Sequence, residues 1–141
     1  MRSALLVFGQ FGSIAVLLFG GGWLLSWWAW LAFATGLGLF IWAIASLGGN
    51  NFTILPDPRA GNMLSQRGIY RFLRHPMYTA VLLCGIAVSF GAPSLARWIA
   101  LSVCAVVLLS KVRYEEGLLA ARHPEYPQRM KGVARLLPGV W

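Results

Sequence analysis

The sequence predicts an all-α polytopic membrane protein with four transmembrane helices, made of two anchor spans, a short helical hairpin and a cytoplasmic C-terminal helical segment. Hydrophobic residues make up 58% of the 141 residues and charged residues only 11%, whereas soluble domains carry about 25% charged residues. Two long apolar runs contain no charged residue, and two shorter apolar runs follow a polar loop. We therefore treat residues 1–141 as one integral membrane domain.

The two anchor spans are predicted at about residues 4–25 and 27–47. Each is about long enough to cross a hydrocarbon core of about 30 Å as a helix. Their glycines favour close approach of helices, because packing drives helix association in lipid. Tryptophans crowd the turn between the spans and are typical of the headgroup region, which puts this turn at the outer interface; they are Trp23, Trp27, Trp28 and Trp30.

A polar, turn-rich loop follows at residues 48–75. It is longer than a connection in a compact domain normally is unless it has a function. Its aromatic and apolar residues indicate that it packs on the protein or lies in the membrane interface. The alternative is an unstructured connector.

The helical hairpin is predicted at residues 76–111, with two arms of about sixteen residues joined by Gly91-Ala92-Pro93-Ser94. At 1.5 Å per residue, each arm reaches about 24 Å. Arg97 at the tip is expected to extend toward the far interface. In the cytoplasmic segment, residues 112–141, the second arm should continue to Arg122 and a new helix should begin around Pro124. The basic tail is expected to lie on the membrane surface.

Positive charges fall almost entirely on one side of these spans. Because Lys and Arg concentrate in cytoplasmic loops, both termini and the central loop are predicted to be cytoplasmic, in the cell (inner) membrane. This placement accounts for the net charge of +8 without a nucleic-acid partner, and none is expected. Eleven of the twelve basic residues follow the rule and Arg97 does not; the eleven are Arg2, Arg59, Arg67, Arg71, Arg74, Lys111, Arg113, Arg122, Arg129, Lys131 and Arg135.

Cys84 and Cys104 both lie within apolar runs. Neither belongs to a CxxC or metal-ligand pattern, and a free cysteine packs readily as a small apolar residue. We therefore expect neither a disulfide nor a metal site.

The two open ends of a helical hairpin are neighbours, and here both are polar. Arg74-His75-Pro76-Met77-Tyr78 leads into the first arm, and Arg113-Tyr114-Glu115-Glu116 follows the second. These clusters, about forty residues apart in sequence, are predicted to meet at the cytoplasmic interface. Glu115 and Glu116 are two of the four acidic residues in the chain. Placing carboxylates near lipid is energetically unfavourable.

Taken singly, each of these residues also has an ordinary interpretation. Glu115 and Glu116 fit a ligand site and a pair of solvated carboxylates equally well. A lone histidine such as His75 is more often structural than catalytic. Tyr70 and Tyr78 could stack on a ligand or simply anchor the chain at the headgroups.

Taken together, the pattern is far more specific. Gly68-Ile69-Tyr70-Arg71-Phe72-Leu73-Arg74-His75-Pro76-Met77-Tyr78, then Glu115-Glu116, Glu125-Tyr126 and a closing Leu136-Leu137-Pro138-Gly139 resemble the isoprenylcysteine carboxyl methyltransferase family and its phospholipid methyltransferase relatives. Those proteins are integral membrane enzymes that use S-adenosylmethionine. The upstream Asn51-Phe52-Thr53-Ile54-Leu55-Pro56-Asp57-Pro58 is similar to a compact prokaryotic branch.

The resemblance implies an S-adenosylmethionine-dependent methyltransferase that acts on a lipophilic acceptor at the cytoplasmic interface. His75, Tyr78, Glu115 and Glu116 would bind the cofactor, since carboxylates suit its amino and hydroxyl groups and an aromatic ring suits adenine or a sulfonium. A carboxylate acceptor would need no general base, and Arg113 or Arg74 could clamp it. An amine acceptor would need His75 or a glutamate to take its proton. The catalytic prediction is thus Arg74, His75 and Arg113, with Arg113, Tyr70 and Tyr126 as substrate contacts.

The sequence departs from the family pattern at Ala80, where a glycine is usual, and at Arg129, where an aromatic residue is common. A different class of function also fits the composition: a non-enzymatic membrane subunit or interaction module whose basic loop and tail bind anionic lipid or a protein partner. A small transporter is disfavoured, because no span carries a charged residue near its middle.

Overall fold

The computed structural model describes residues 2–47, 64 and 66–138, with Arg2 described by its backbone alone. Most of the predicted loop, the Asn51 to Pro58 stretch and Gly139 lie outside the described residues. Within them, every regular element is helical, which confirms the all-α prediction. The elements are α1 (Arg2–Phe19), α2 (Trp27–Leu47), a 3-10 turn (Gly68–Arg71), α3 (Pro76–Gly91), α4 (Leu95–Arg122) and α5 (Tyr126–Arg129).

Two helices, α2 and α4, are long and apolar enough to cross a membrane. Their most apolar windows are only 11% and 33% buried inside the protein, so their large apolar side chains face outward. An interior helix of a soluble protein would bury them instead. Ser3–Phe19 and Pro76–Gly91 are apolar but shorter, and four spans remain a prediction.

Helix α1 ends at Phe19, six residues before the expected end of the first span. The three glycines at residues 20–22 follow, and glycine loses much backbone entropy in a helix. Arg97 also holds this end, because its guanidinium donates hydrogen bonds to the carbonyls of Leu17, at 3.1 Å, and of two of these glycines. A further bond of 2.8 Å reaches the carbonyl of Ala92, just after α3.

The expectation that Arg97 extends to the far interface is therefore wrong. Its side chain is 0% exposed and satisfies carbonyls that the ends of α1 and α3 leave without helical partners. A cation at the C-terminal end of a helix is also favoured by the helix dipole. Arg97 thus fastens α1 to the α3–α4 hairpin.

Helix α1 packs mainly along α4 and α2 packs along α3, while α3 and α4 form the predicted hairpin. At Gly36, α2 approaches α3 so closely that an added Cβ would lie 2.6 Å from the Cys84 sulfur. An apolar cleft of about 230 Å³ lies between α1, α2 and α3. Its lining includes Ile14, Phe33 and Val81.

Helix α4 continues to Arg122 without a break, as predicted. Helix α5 begins at Tyr126, with Pro127 in its first turn, instead of around Pro124. The difference arises because a turn intervenes: the Tyr126 amide donates to the His123 carbonyl at 2.9 Å.

Candidate active site

The hairpin brings the two predicted clusters together. His75 is the residue before α3, and Pro76 occupies the first turn, where its fixed φ and missing N–H suit a helix start. The Tyr78 hydroxyl donates a hydrogen bond to Glu115 Oε1. His75 Nδ1 lies 3.4 Å from Glu115 Oε2, and His75 Nε2 lies 3.6 Å from Glu116 Oε1. The predicted meeting of the clusters is thus confirmed.

The two adjacent glutamates have different surroundings. Glu115 faces the Tyr78 hydroxyl and the His75 ring. Glu116 instead accepts from Arg74 Nη1 at 3.1 Å and from Arg135 Nε at 2.8 Å. Residues next to each other in a helix point about 100° apart, which separates the two environments.

The C-terminal tail closes over this cluster. The amide of Arg74 donates to the Ala134 carbonyl at 2.8 Å, and the Ala134 amide donates to the Phe72 carbonyl at 3.2 Å, which makes a parallel bridge between Leu73 and Ala134. The amide of His75 also donates to the Arg135 carbonyl at 3.0 Å. Leu136 behind the bridge is buried. The tail therefore docks on the start of α3. That it also lies on the membrane surface stays a prediction.

Arg74 connects the tail to the glutamate pair. Besides Glu116, its guanidinium donates to the carbonyls of Val133 and Met130, both at 2.8 Å. Tyr126 is buried beneath the tail, with its hydroxyl 3.5 Å from Glu116 Oε1. Glu116 and Arg74 together hold the tail in place.

His75 is buried between the two carboxylates. Burial alone lowers the pKa of an imidazole, but Glu115 and Glu116 more than offset this and raise the pKa of His75 above its ordinary value. Its ring stacks on Tyr78, with centroids 5.6 Å apart and planes 4° apart. His75 Nε2 has no hydrogen-bond partner, because Glu116 at 3.6 Å is beyond hydrogen-bonding distance.

Two further tyrosines near the glutamates are held neutral. Burial and the charge of Glu115 raise the pKa of Tyr70. Burial raises the pKa of Tyr126 to about 12, with the charge of Glu116 adding to the effect. Both phenols therefore remain hydrogen-bond donors across the physiological pH range.

A buried lysine lies against the ring of Tyr78. Lys111 of α4 is only 2% exposed, and its Nζ lies 2.7 Å from Gln10 Oε1 of α1. The same nitrogen lies over the Tyr78 ring, 5.1 Å from the centroid.

The predicted site residues thus divide into two groups. Seven of them lie in or beside the glutamate cluster: Tyr70, Arg74, His75, Tyr78, Glu115, Glu116 and Tyr126. The eighth, Arg113, is exposed on α4, and among the described residues no contact joins it to the other seven. Sequence reasoning missed Arg135, Lys111 and Gln10. For Arg135, the available signal was its place directly before the closing Leu136-Leu137-Pro138.

The described groups fit S-adenosylmethionine by their chemistry. Glu115 offers a carboxylate to ammonium and hydroxyl groups, and the buried Nε2 of His75 lacks a partner. Carboxylate oxygens accept only, whereas an imidazole can donate or accept. The site therefore offers both kinds of group.

A family model described as phospholipid methyltransferase matches residues 24–125, well over half of the 141 residues. A comparison with curated proteins finds no match. The matched range contains α2, α3 and α4, with both glutamates and the His75 to Tyr78 segment. Helix α1 with Gln10 and the tail with Arg135 lie outside it.

Proposed function

The chain belongs to the phospholipid methyltransferase family, with which isoprenylcysteine carboxyl methyltransferase-like membrane enzymes are grouped, and from this premise we propose that it transfers a methyl group from S-adenosylmethionine to a lipophilic acceptor. The observation that carries the proposal is Glu115, a carboxylate held by Tyr78 and His75 at the open end of two apolar helices. We further propose four spans in the cell (inner) membrane, with both termini and the site at the cytoplasmic interface. The distribution of Lys and Arg supports this orientation.

Glu115 and Glu116 have different roles in this proposal. The oxygens of Glu116 already accept from Arg74 and Arg135, so Glu116 holds the tail. Glu115 lies between a phenol and an imidazole, without an arginine at hydrogen-bond distance among the described contacts. Glu115 is therefore the carboxylate that binds the amino or ribose hydroxyl groups of the cofactor.

S-adenosylmethionine supplies the methyl group on a sulfonium, an activated carrier. The protein contributes mainly position, since displacement reactions gain most from alignment of the two reactants. Tyr78 and His75 orient Glu115, and the docked tail covers the cluster. Tyr126 supports Glu116 beneath that tail.

We favour a carboxylate acceptor. Two arginines were expected to clamp the acceptor carboxylate. The Arg74 guanidinium already donates to Glu116 and to two carbonyls, whereas Arg113 is exposed and accessible to an acceptor. Arg113 is therefore the proposed clamp, and Tyr70, near Glu115, is a further proposed acceptor contact. The apolar cleft between α1, α2 and α3 would suit the acceptor's hydrocarbon part.

Calorimetric titration of S-adenosylhomocysteine into purified protein in nanodiscs tests cofactor recognition. We expect saturable binding that Glu115→Gln weakens by about tenfold or more, because a charge-assisted hydrogen bond is lost. Glu125→Gln is the matched control, since Glu125 is 51% exposed and pairs only with His123 among the described residues. Mass spectrometry of membrane extracts incubated with isotopically labelled S-adenosylmethionine would then identify the acceptor.

Absence of binding together with absence of a labelled product would overturn the proposal. A non-enzymatic membrane module would give a different result. In that case Glu115→Gln and His75→Ala would be silent, whereas neutralising Arg129, Lys131 and Arg135 would abolish binding to anionic vesicles.

A further inference from the structure

Lys111 is a buried cation that the proposed chemistry does not use. It is only 2% exposed, although an ammonium loses much solvation free energy when it leaves water. It directly follows the apolar run of residues 95–110, which makes burial more costly still, because ionisable groups are expensive beside lipid. The contacts that the ammonium makes must offset this cost.

Lys111 lies one helical turn before Glu115, so the two side chains share a face of α4. The ring of Tyr78 contacts this same face: its hydroxyl donates to Glu115, and Lys111 Nζ lies 5.1 Å from its centroid. A cation over a tyrosine ring is attracted by the ring's electron density, most strongly when desolvated. Lys111 and Glu115 therefore hold opposite parts of one phenol.

Gln10 fixes the ammonium in this place. Its side-chain oxygen accepts from Lys111 Nζ at 2.7 Å, and Gln10 itself is 9% exposed. Gln10 belongs to α1, which precedes the range of the family match. A residue outside the matched range thus braces a residue inside it.

We propose that Lys111 is a positioning residue of the cofactor site, which sets the Tyr78 hydroxyl, and through it the Glu115 carboxylate, in the orientation that binds S-adenosylmethionine. Because the Lys111 ammonium lies over the Tyr78 ring and the His75 ring stacks on it, Tyr78 acts through its hydroxyl and not as a platform for a second cation. Helix α1 thereby becomes part of the site by way of Gln10. This inference rests on the proposed function.

The test compares Lys111→Gln with Lys111→Arg in full-length protein in nanodiscs. A glutamine at position 111 can still donate a hydrogen bond to Gln10 but carries no charge. An arginine there keeps both the donor and the charge. We expect Lys111→Gln to bind S-adenosylhomocysteine about tenfold more weakly, as loss of a desolvated cation–π contact implies, and Lys111→Arg to remain within about threefold. Lys131→Gln, which removes an exposed tail cation, is the control and should bind as the wild type does.

A second measurement does not need the cofactor. In protein carrying 13C-labelled tyrosine, the Tyr78 ring resonance, assigned with Tyr78→Phe, should shift in Lys111→Gln and in Gln10→Leu but not in Lys131→Gln. In Gln10→Leu, Lys111 keeps its charge but loses the hydrogen bond that fixes it. The loss of affinity should therefore be smaller than in Lys111→Gln, about threefold.

The inference is overturned if Lys111→Gln folds and binds as the wild type does, or if the Tyr78 resonance does not move in it. If Lys111→Gln does not fold, wild-type behaviour of Gln10→Leu in both measurements overturns it instead. If the wild type itself does not bind, the proposed function fails, and the resonance shift alone then decides whether Lys111 positions Tyr78.

Discussion

Arg135 Nε lies 2.8 Å from Glu116 Oε2, although nineteen residues separate the two in sequence. This contact joins the tail to the C-terminal part of α4, and Arg74, just before α3, reinforces it at 3.1 Å. Three segments therefore converge on one carboxylate. Glu116 is a structural centre of the site, adjacent in sequence to the carboxylate proposed to bind the cofactor.

Replacing Glu116 by Gln should release the tail. The change leaves Arg74 and Arg135 without their carboxylate, and we expect it to destabilise the protein by about 2 kcal/mol, less than a fully buried pair because Arg135 is 37% exposed. Arg135→Gln should cost about 1 kcal/mol or less. Tryptic cleavage after Arg129 and Lys131, followed over time, should accelerate in both variants.

Glu115→Gln is the matched control for this experiment, since it changes the neighbouring residue in the same way. Its tail should be cleaved at the wild-type rate. Equal cleavage rates in Glu116→Gln and the wild type would contradict the assignment of Glu116 to the tail.

The stability of the protein should decrease with rising pH as His75 loses its proton. The pKa of His75 is raised in the folded protein, whereas an unfolded histidine titrates near pH 6.5. Protonated His75 therefore stabilises the fold fully below about pH 6.5, and this contribution is lost as the pH rises through the raised pKa. Melting temperatures measured from about pH 5.5 to about pH 9 should show the decline.

His75→Gln should flatten that part of the profile, because a glutamine does not titrate there. His123→Gln makes the same change at the other histidine and should keep the decline. A His75→Gln profile parallel to that of the wild type would contradict the assignment.

Arg97→Met should be strongly destabilising. The change removes the donors from carbonyls at the ends of α1 and α3, and hydrogen bonds to a charged group contribute about 1.5–3 kcal/mol each. We expect a loss of at least about 3 kcal/mol in the free energy of unfolding, measured by thermal or denaturant unfolding in detergent. Arg97→Lys keeps the charge but not the planar fork of donors. Its free energy of unfolding should lie between those of the wild type and Arg97→Met. A melting curve for Arg97→Met that coincides with that of the wild type would exclude this role.

Gly36→Ala should separate α2 from α3. The new methyl group would lie 2.6 Å from the Cys84 sulfur and 3.2 Å from the Ala80 carbonyl oxygen, and overpacking of this kind costs about 1–3 kcal/mol. Cys84→Ala in the same chain should restore part of the loss. Gly38→Ala is the control on the same helix, since nothing lies within 4 Å of its added Cβ. A melting temperature of Gly36→Ala equal to that of Gly38→Ala would show that the approach is not tight.

The sequence was informative wherever a local pattern decides the structure. Charge-free length predicted α2 at residues 27–47, as observed, and hairpin geometry predicted that His75 and Tyr78 meet Glu115. The end of α1 was not predictable in this way, because it depends on Arg97, about eighty residues further along the chain.

The sequence also did not predict which arginine contacts the glutamates. Arg113 is close to the glutamates in sequence and yet is exposed, whereas Arg135 reaches Glu116 through the parallel bridge of the tail. That bridge is a tertiary contact with no periodic signal. Lys111 was visible only as one of several basic residues, since its burial depends on Gln10 of another helix.

The parallel bridge between Leu73 and Ala134 also fixes an order of assembly. Arg74 obtains its carbonyl partners from residues synthesised almost sixty positions later. During translation the start of α3 and the C-terminal part of α4 can therefore meet before the tail is synthesised, and the tail docks on them afterwards. A nascent chain stalled before Met130 would carry every residue of the Glu115 cluster and still lack the cover over it.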